Sequence, residues 1–189
     1  MRFTRHRGGV RADLEAVEVQ VLAQLANEIL AIVEPAGPSD DASEDPLATL
    51  VGLPSGDVPV PDDPVLRRLL PDAYRDDEGA AADFRRYTDS ELRAAKRGQA
   101  TVVLGTLPDG GGQMRLDRDQ ADAWLGALND MRLALGTSLD VTEETDPDDY
   151  AEDHPARQAL EVYGWLGWLQ ESLLSCLDPR LGSERGPGA

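Results

Sequence analysis

The 189-residue sequence has a single cysteine, Cys176, which excludes a disulfide within the chain and a thiolate zinc site. Aromatic residues make up only 5%, so aliphatic side chains must supply most of the packing. No uncharged apolar run approaches the roughly 18 residues that a membrane-spanning helix needs. The first residues, MRFTRHRGG, hold no apolar stretch that could serve as a signal peptide. A cytoplasmic protein is the expectation. There is no G-x-S-x-G, no Ser-His-Asp order and no phosphate-binding glycine loop, and Gly110–Gly112 has no lysine after it. The two histidines, His6 and His154, lie far apart in sequence. The carboxylates around Asp146–Asp149 lack the central glycine and terminal glutamate of a calcium loop. We therefore expect no metal, no cofactor and no catalytic group, and an orphan enzyme is the weakest reading.

What is present is acid. The formal net charge is −18, with 41% hydrophobic and 29% charged residues, a composition that supports one packed core. Residues 34–63 and 140–153 each carry eight acids and no lysine or arginine. They leave 20 acids against 18 bases elsewhere, so the rest of the chain is nearly neutral. Residues 35–62 also contain six prolines and three glycines, the mark of a linker. Leu47, Leu50 and Val51 fit one helical turn inside it.

Hydrophobic spacing sets out the elements. Gly8-Gly9 suits a tight hairpin over residues 1–12. Leu14, Val17, Val21, Leu25, Ile29 and Ile32 recur every three or four residues, which predicts a helix over 13–34 with Asp13 as N-cap and Pro35 as stop. Pro64 opens a short helix over 64–70. Helices over 77–87 and from Thr88 to Gly98 follow, the second opened by a Thr88/Glu91 capping box. Ala100–Leu107 reads as a β-branched strand that turns at Asp109–Gly112 and returns as Gln113–Leu116. Asp117 and Gln120 form another capping box, before a helix to about Leu139. The last helix spans 154–177, and 178–189 form a flexible tail. The expected fold is mainly α, with one or two small antiparallel hairpins. The expected domain is 1–177, interrupted by a linker at 35–63 and an acidic loop at 140–153.

Helix, helix, hairpin over 77–117 is also the element order of a winged helix, with Arg93, Lys96 and Arg97 on its second helix. Residues 64–98 nevertheless hold eight bases against seven acids, a weak positive footprint for nucleic acid. Direct DNA binding is the second reading, not the first. Two polar blocks suit a protein partner better. The first carries Arg67, Arg68, Asp72, Tyr74, Arg85 and Arg86; the second carries Asn129, Asp130 and Arg132. Arginine and tyrosine are enriched at protein contact surfaces, although the same residues also serve as internal arginine–carboxylate pairs. For any single one of them the internal pair is the default expectation.

Three strings, RRLLPDAYRDDEGAAADFRRYTDSELRAAK, AWLGALNDMRLALGT and WLGWLQESLL, follow one another in the chain. With them the sequence resembles the actinobacterial AosR-like family, that of the actinomycete oxidative stress regulator, formerly a domain of unknown function. The resemblance runs from about Phe3 to Leu177. It implies a cytoplasmic, non-enzymatic regulator that works through a stress sigma factor or RNA polymerase, inducing antioxidant and cysteine-synthesis genes. It also implies redox sensing by a disulfide within one chain. Here the sequence departs from the family, because Cys176 has no intrachain partner. It stands as a redox candidate only through a bond to another molecule, such as a second copy in a homodimer.

Overall fold

The computed structural model describes residues 1–34, 60–74 and 77–178. The expected turn at Leu47–Val51 and the tail from 179 onward lie outside them. The described residues are mainly helical, with one three-stranded antiparallel sheet.

The chain opens with the expected hairpin. Strands β1 (Thr4–His6) and β2 (Gly9–Leu14) pair across a turn in which Gly8 takes φ +78°, where a side chain would be strained. Gly9 serves a different purpose. It faces the backbone of a third strand, and a Cβ there would lie 2.0 Å from the Leu116 carbonyl oxygen. On β2, Val10, Ala12 and Leu14 alternate inward, so Asp13 is a strand residue rather than a helix cap. Helix α1 starts later than expected and spans Ala16–Ile32. Glu18 closes its first turn by accepting a hydrogen bond from the Glu15 N–H at 2.8 Å. Leu22, Ala26 and Ile29 form its buried stripe.

Helix α2 (Pro64–Leu69) is capped by Asp63, whose carboxylate accepts from the N–H groups of Val65 and Leu66. The next element corrects the sequence reading most. Residues expected to form two helices and a strand form one 29-residue helix, α3 (Glu78–Thr106). Thr88 is not an N-cap: its hydroxyl donates to the Phe84 carbonyl one turn back, inside the helix. Gly98 and Gly105 also sit inside it. Each such glycine costs a helix about 1 kcal/mol, and Val102-Val103 cost a few tenths each. Burial of Ala100 and Val103 against the core offsets this. The winged-helix order therefore does not form.

Strand β3 (Gly112–Asp117) is real, but its partner is β2, in register from Gly9↔Asp117 to Leu14↔Gly112. Helix α4 (Arg118–Ser138) begins with the expected box: Asp117 accepts from the Gln120 N–H at 2.8 Å, and Gln120 from the Asp117 N–H at 3.0 Å. A single 3-10 turn at Pro147–Asp149 interrupts the acidic stretch. Helix α5 (Pro155–Leu177) closes the fold, with His154 as N-cap. Arg157 ties that stretch to α5 by donating to Asp148, Pro147 and Tyr150, so the acidic segment is anchored.

Helix α4 is the centre of the described fold and packs against each of the other four described helices. Trp124 is fully buried on it, with its indole N–H 2.8 Å from the Thr106 hydroxyl and its ring edge-on to Phe3. Leu22, Leu128, Leu166, Leu169 and Leu173 complete the core, each contributing about 2 kcal/mol by burial. No described helix is long and apolar enough to cross a membrane.

Candidate functional site

The nine partner candidates separate into three environments. The first surrounds the start of α3. Asp72 pairs with Arg85, and Tyr74 stands edge-on to Phe84 at 6.2 Å, so the stretch after α2 folds back on α3. Tyr74 is still 52% exposed. Arg86 donates to the Tyr87 hydroxyl at 3.0 Å, lies over that ring at 5.0 Å, and has Asp83 at 3.6 Å. Arg67 is exposed and donates to the Asp62 carbonyl at 3.3 Å. Tyr74 and Tyr87 are exposed here and Arg67 is exposed on α2, while Arg85 and Arg86 are half-buried and held by carboxylates near the surface.

The second environment is internal and removes Asp130 from any surface. Asp130 is 3% exposed and receives Lys96 Nζ at 2.7 Å on Oδ1. Its Oδ2 is buried without a hydrogen-bond partner. Burial raises the carboxyl above its ordinary value of 3.8, and the Lys96 ammonium opposes that rise. Arg93 is also inside. It donates to Asp89 at 2.6 Å and reaches the Val33 and Glu34 carbonyls at 3.4 Å, which fixes the end of α1 on α3. Of the three bases expected on a DNA-reading helix, two are thus held in internal pairs and only Arg97 is exposed. Sequence reasoning missed these inward roles. The available signal was their spacing: Arg93, Lys96, Ala100 and Val103 share one helical face.

The third environment joins the two polar blocks. Arg68 of α2 and Arg132 of α4 line one cavity of about 350 Å³ with Gly136, Thr137, Asp140 and Tyr163. Arg132 lies over the Tyr163 ring at 5.7 Å and donates to Gln170 at 3.2 Å. Gln170 in turn donates to Asn129 at 3.5 Å.

Cys176 lies apart from all of these, near the end of α5, between two cavities. One, of about 270 Å³, includes Arg5, His6 and Arg118; the other, of about 540 Å³, includes Arg2, Trp168, Ser172 and Ser175. Burial pushes its thiol above the usual 9.0, and Arg5 and then Arg2 oppose the shift. Among the described residues, no group of three or more His, Cys, Asp or Glu is placed to hold a metal ion.

The model of a family described as "Domain of unknown function (DUF2017)" matches residues 1–177. The chain belongs to this family. Relatives named "Oxidative stress regulator AosR" from Mycobacterium tuberculosis (strain ATCC 25618 / H37Rv) and Mycobacterium bovis are each 35% identical to it over 187 residues. The match covers 92% of this chain and 84% of theirs. A "Putative oxidative stress regulator AosR" from Mycobacterium leprae is 35% identical over 173 residues, 85% of this chain and 78% of that one. No solved structure matches the chain significantly. The DUF2017 match spans the sheet and all five described helices, so the three environments all lie on the family's shared portion.

Proposed function

We propose that this DUF2017 member is a non-enzymatic cytoplasmic regulator of the oxidative stress response, acting by contact with a stress sigma factor or RNA polymerase. The observation that carries the reading is near-full-length identity to proteins named oxidative stress regulators. Exposed Arg67 on α2 and exposed Tyr74 and Tyr87 before and on α3 support a protein contact, because arginine and tyrosine are enriched among the residues that carry binding energy at interfaces. The inward turn of Arg93 and Lys96 takes away the geometric argument for direct DNA binding.

The test is recovery of partners by the tagged chain from its native cytoplasm, with and without peroxide. A sigma factor or RNA polymerase subunit is expected with the wild type and is lost with Arg67→Glu, whose circular dichroism stays unchanged because Arg67 is exposed. Recovery of neither, or recovery indifferent to Arg67→Glu, overturns the proposed contact. A peroxide response abolished by Cys176→Ser identifies the responding thiol.

A further inference from the structure

The cavity between α2, α4 and α5 has the chemistry of a ligand site that nothing above assigns. Three features of the chain build it. The end of α4 is a left-handed cap: Asp140 takes φ +50°, its N–H donates to the Thr137 carbonyl at 3.2 Å, and the Val141 N–H donates to the Gly136 carbonyl at 2.9 Å. This closure brings Asp140 to the cavity rim, at a position that glycine or asparagine would occupy at lower cost. Gly136 forms the second feature. A Cβ there would lie 2.9 Å from Tyr163 Cε2, so the absence of a side chain lets the aromatic ring lie against α4. The third is Arg132, whose guanidinium is oriented by the Tyr163 face and by Gln170 rather than by a carboxylate.

Neither Arg68 nor Arg132 forms an ion pair among the described residues. Other described arginines also lack an ion pair, but these two come from different helices to line the same cavity. The lining thus carries two arginines, Arg68 and Arg132, and one carboxylate, Asp140. Paired guanidinium forks suit a dianionic phosphate, and Asp140 suits a cation. A ligand carrying both groups leaves no charge unmatched, whereas a simple carboxylate leaves one arginine in excess. The Thr137 hydroxyl already donates to the Leu133 carbonyl, so toward a ligand it can only accept. The volume suits a small molecule.

We propose that this cavity binds a small amino-phosphate monoester, with its phosphate on Arg68 and Arg132 and its ammonium on Asp140. Because Arg68 comes from α2 and Arg132 from α4, an occupant would pin α2 to the centre of the fold. The inference is independent of the proposed partner.

The experiment is isothermal titration of the full chain with phosphoethanolamine, methyl phosphate and β-alanine. Phosphoethanolamine is expected to bind saturably below about 1 mM. Methyl phosphate, which lacks the ammonium, and β-alanine, which lacks the phosphate, are each expected to bind about tenfold more weakly. Arg68→Gln, at an exposed position where folding is not at stake, is expected to weaken phosphoethanolamine by about tenfold. Asp140→Asn, which tolerates the left-handed cap, is expected to remove the preference over methyl phosphate. Absence of saturable binding, β-alanine binding as tightly as phosphoethanolamine, or binding unchanged by Arg68→Gln would each overturn the assignment.

Discussion

Replacing Lys96 by methionine tests the internal electrostatics most directly. Methionine keeps most of the apolar stem and removes the ammonium. The Lys96–Asp130 contact at 2.7 Å corresponds to a gross attraction of about 6 kcal/mol at an effective dielectric near 20. Most of that attraction is set against the desolvation of both ions, since the side chains are only 16% and 4% exposed. Removing one partner leaves the other ion buried and uncompensated, which costs about 3–5 kcal/mol at neutral pH. The cost depends on pH, and its sign follows from the direction of the Asp130 shift. Burial raises that carboxyl above 3.8, so the folded chain holds the proton more tightly than the unfolded chain does. The stability contributed by this proton is full below 3.8 and is lost as pH rises through the raised folded value. Without Lys96 the folded value rises further. The deficit of Lys96→Met against the wild type should therefore be largest near pH 7 and smaller near about pH 5, which is still above the isoelectric point of 4.3. Urea unfolding followed by far-ultraviolet circular dichroism at both pH values measures it. Adding Asp130→Leu should recover most of the loss, because an apolar pair of similar volume is often neutral or stabilising. A deficit below about 1 kcal/mol, or one equal at both pH values, would refute the reasoning.

Two further outcomes follow from single residues. Gly111 takes φ +102°, and a Cβ there would lie 2.9 Å from the Leu14 carbonyl oxygen; Gly111→Ala should cost about 1–3 kcal/mol in thermal or urea unfolding, and an unchanged midpoint would contradict the described turn. Cys176 should react slowly with a chromogenic disulfide reagent near pH 7 and speed up as pH rises toward its raised value, and Arg5→Gln should slow it further by removing the larger opposing charge; faster reaction in Arg5→Gln would contradict the electrostatic account.

Local signals were legible where one element decides its own geometry. The Gly8-Gly9 hairpin, the Asp117/Gln120 box and the proline-opened helices α2 and α5 all form as their sequences suggest. The strand expected at Ala100–Leu107 failed for a tertiary reason. Its β-branched residues favour a strand by tenths of a kcal/mol, while helix α3 buries Ala100 and Val103 completely against the core. Strand β3 then pairs with β2, about a hundred residues earlier, and no local pattern announces a pairing that distant. The one hint was Gly9. A second glycine beyond the hairpin turn marks the place where another backbone passes closely.

The charged residues were hard to read for a related reason. A sequence pattern treats arginine, lysine and aspartate as outward, and that assumption makes Arg93, Lys96 and Arg97 look like one basic surface. Their helix turns Arg93 and Lys96 toward Asp89 and Asp130 and leaves Arg97 outside. Asp130 and Arg132, two residues apart, likewise diverge: one enters the core beside Lys96, and the other lies on Tyr163 at the cavity. On a helix, two residues subtend about 200°, so neighbours in a polar block rarely share an environment. Blocks of charge in this sequence therefore do not mark single surfaces. The charged groups that meet are assembled between elements: Arg68 and Arg132 at one cavity with Tyr163, Asp72 with Arg85, and Lys96 with Asp130.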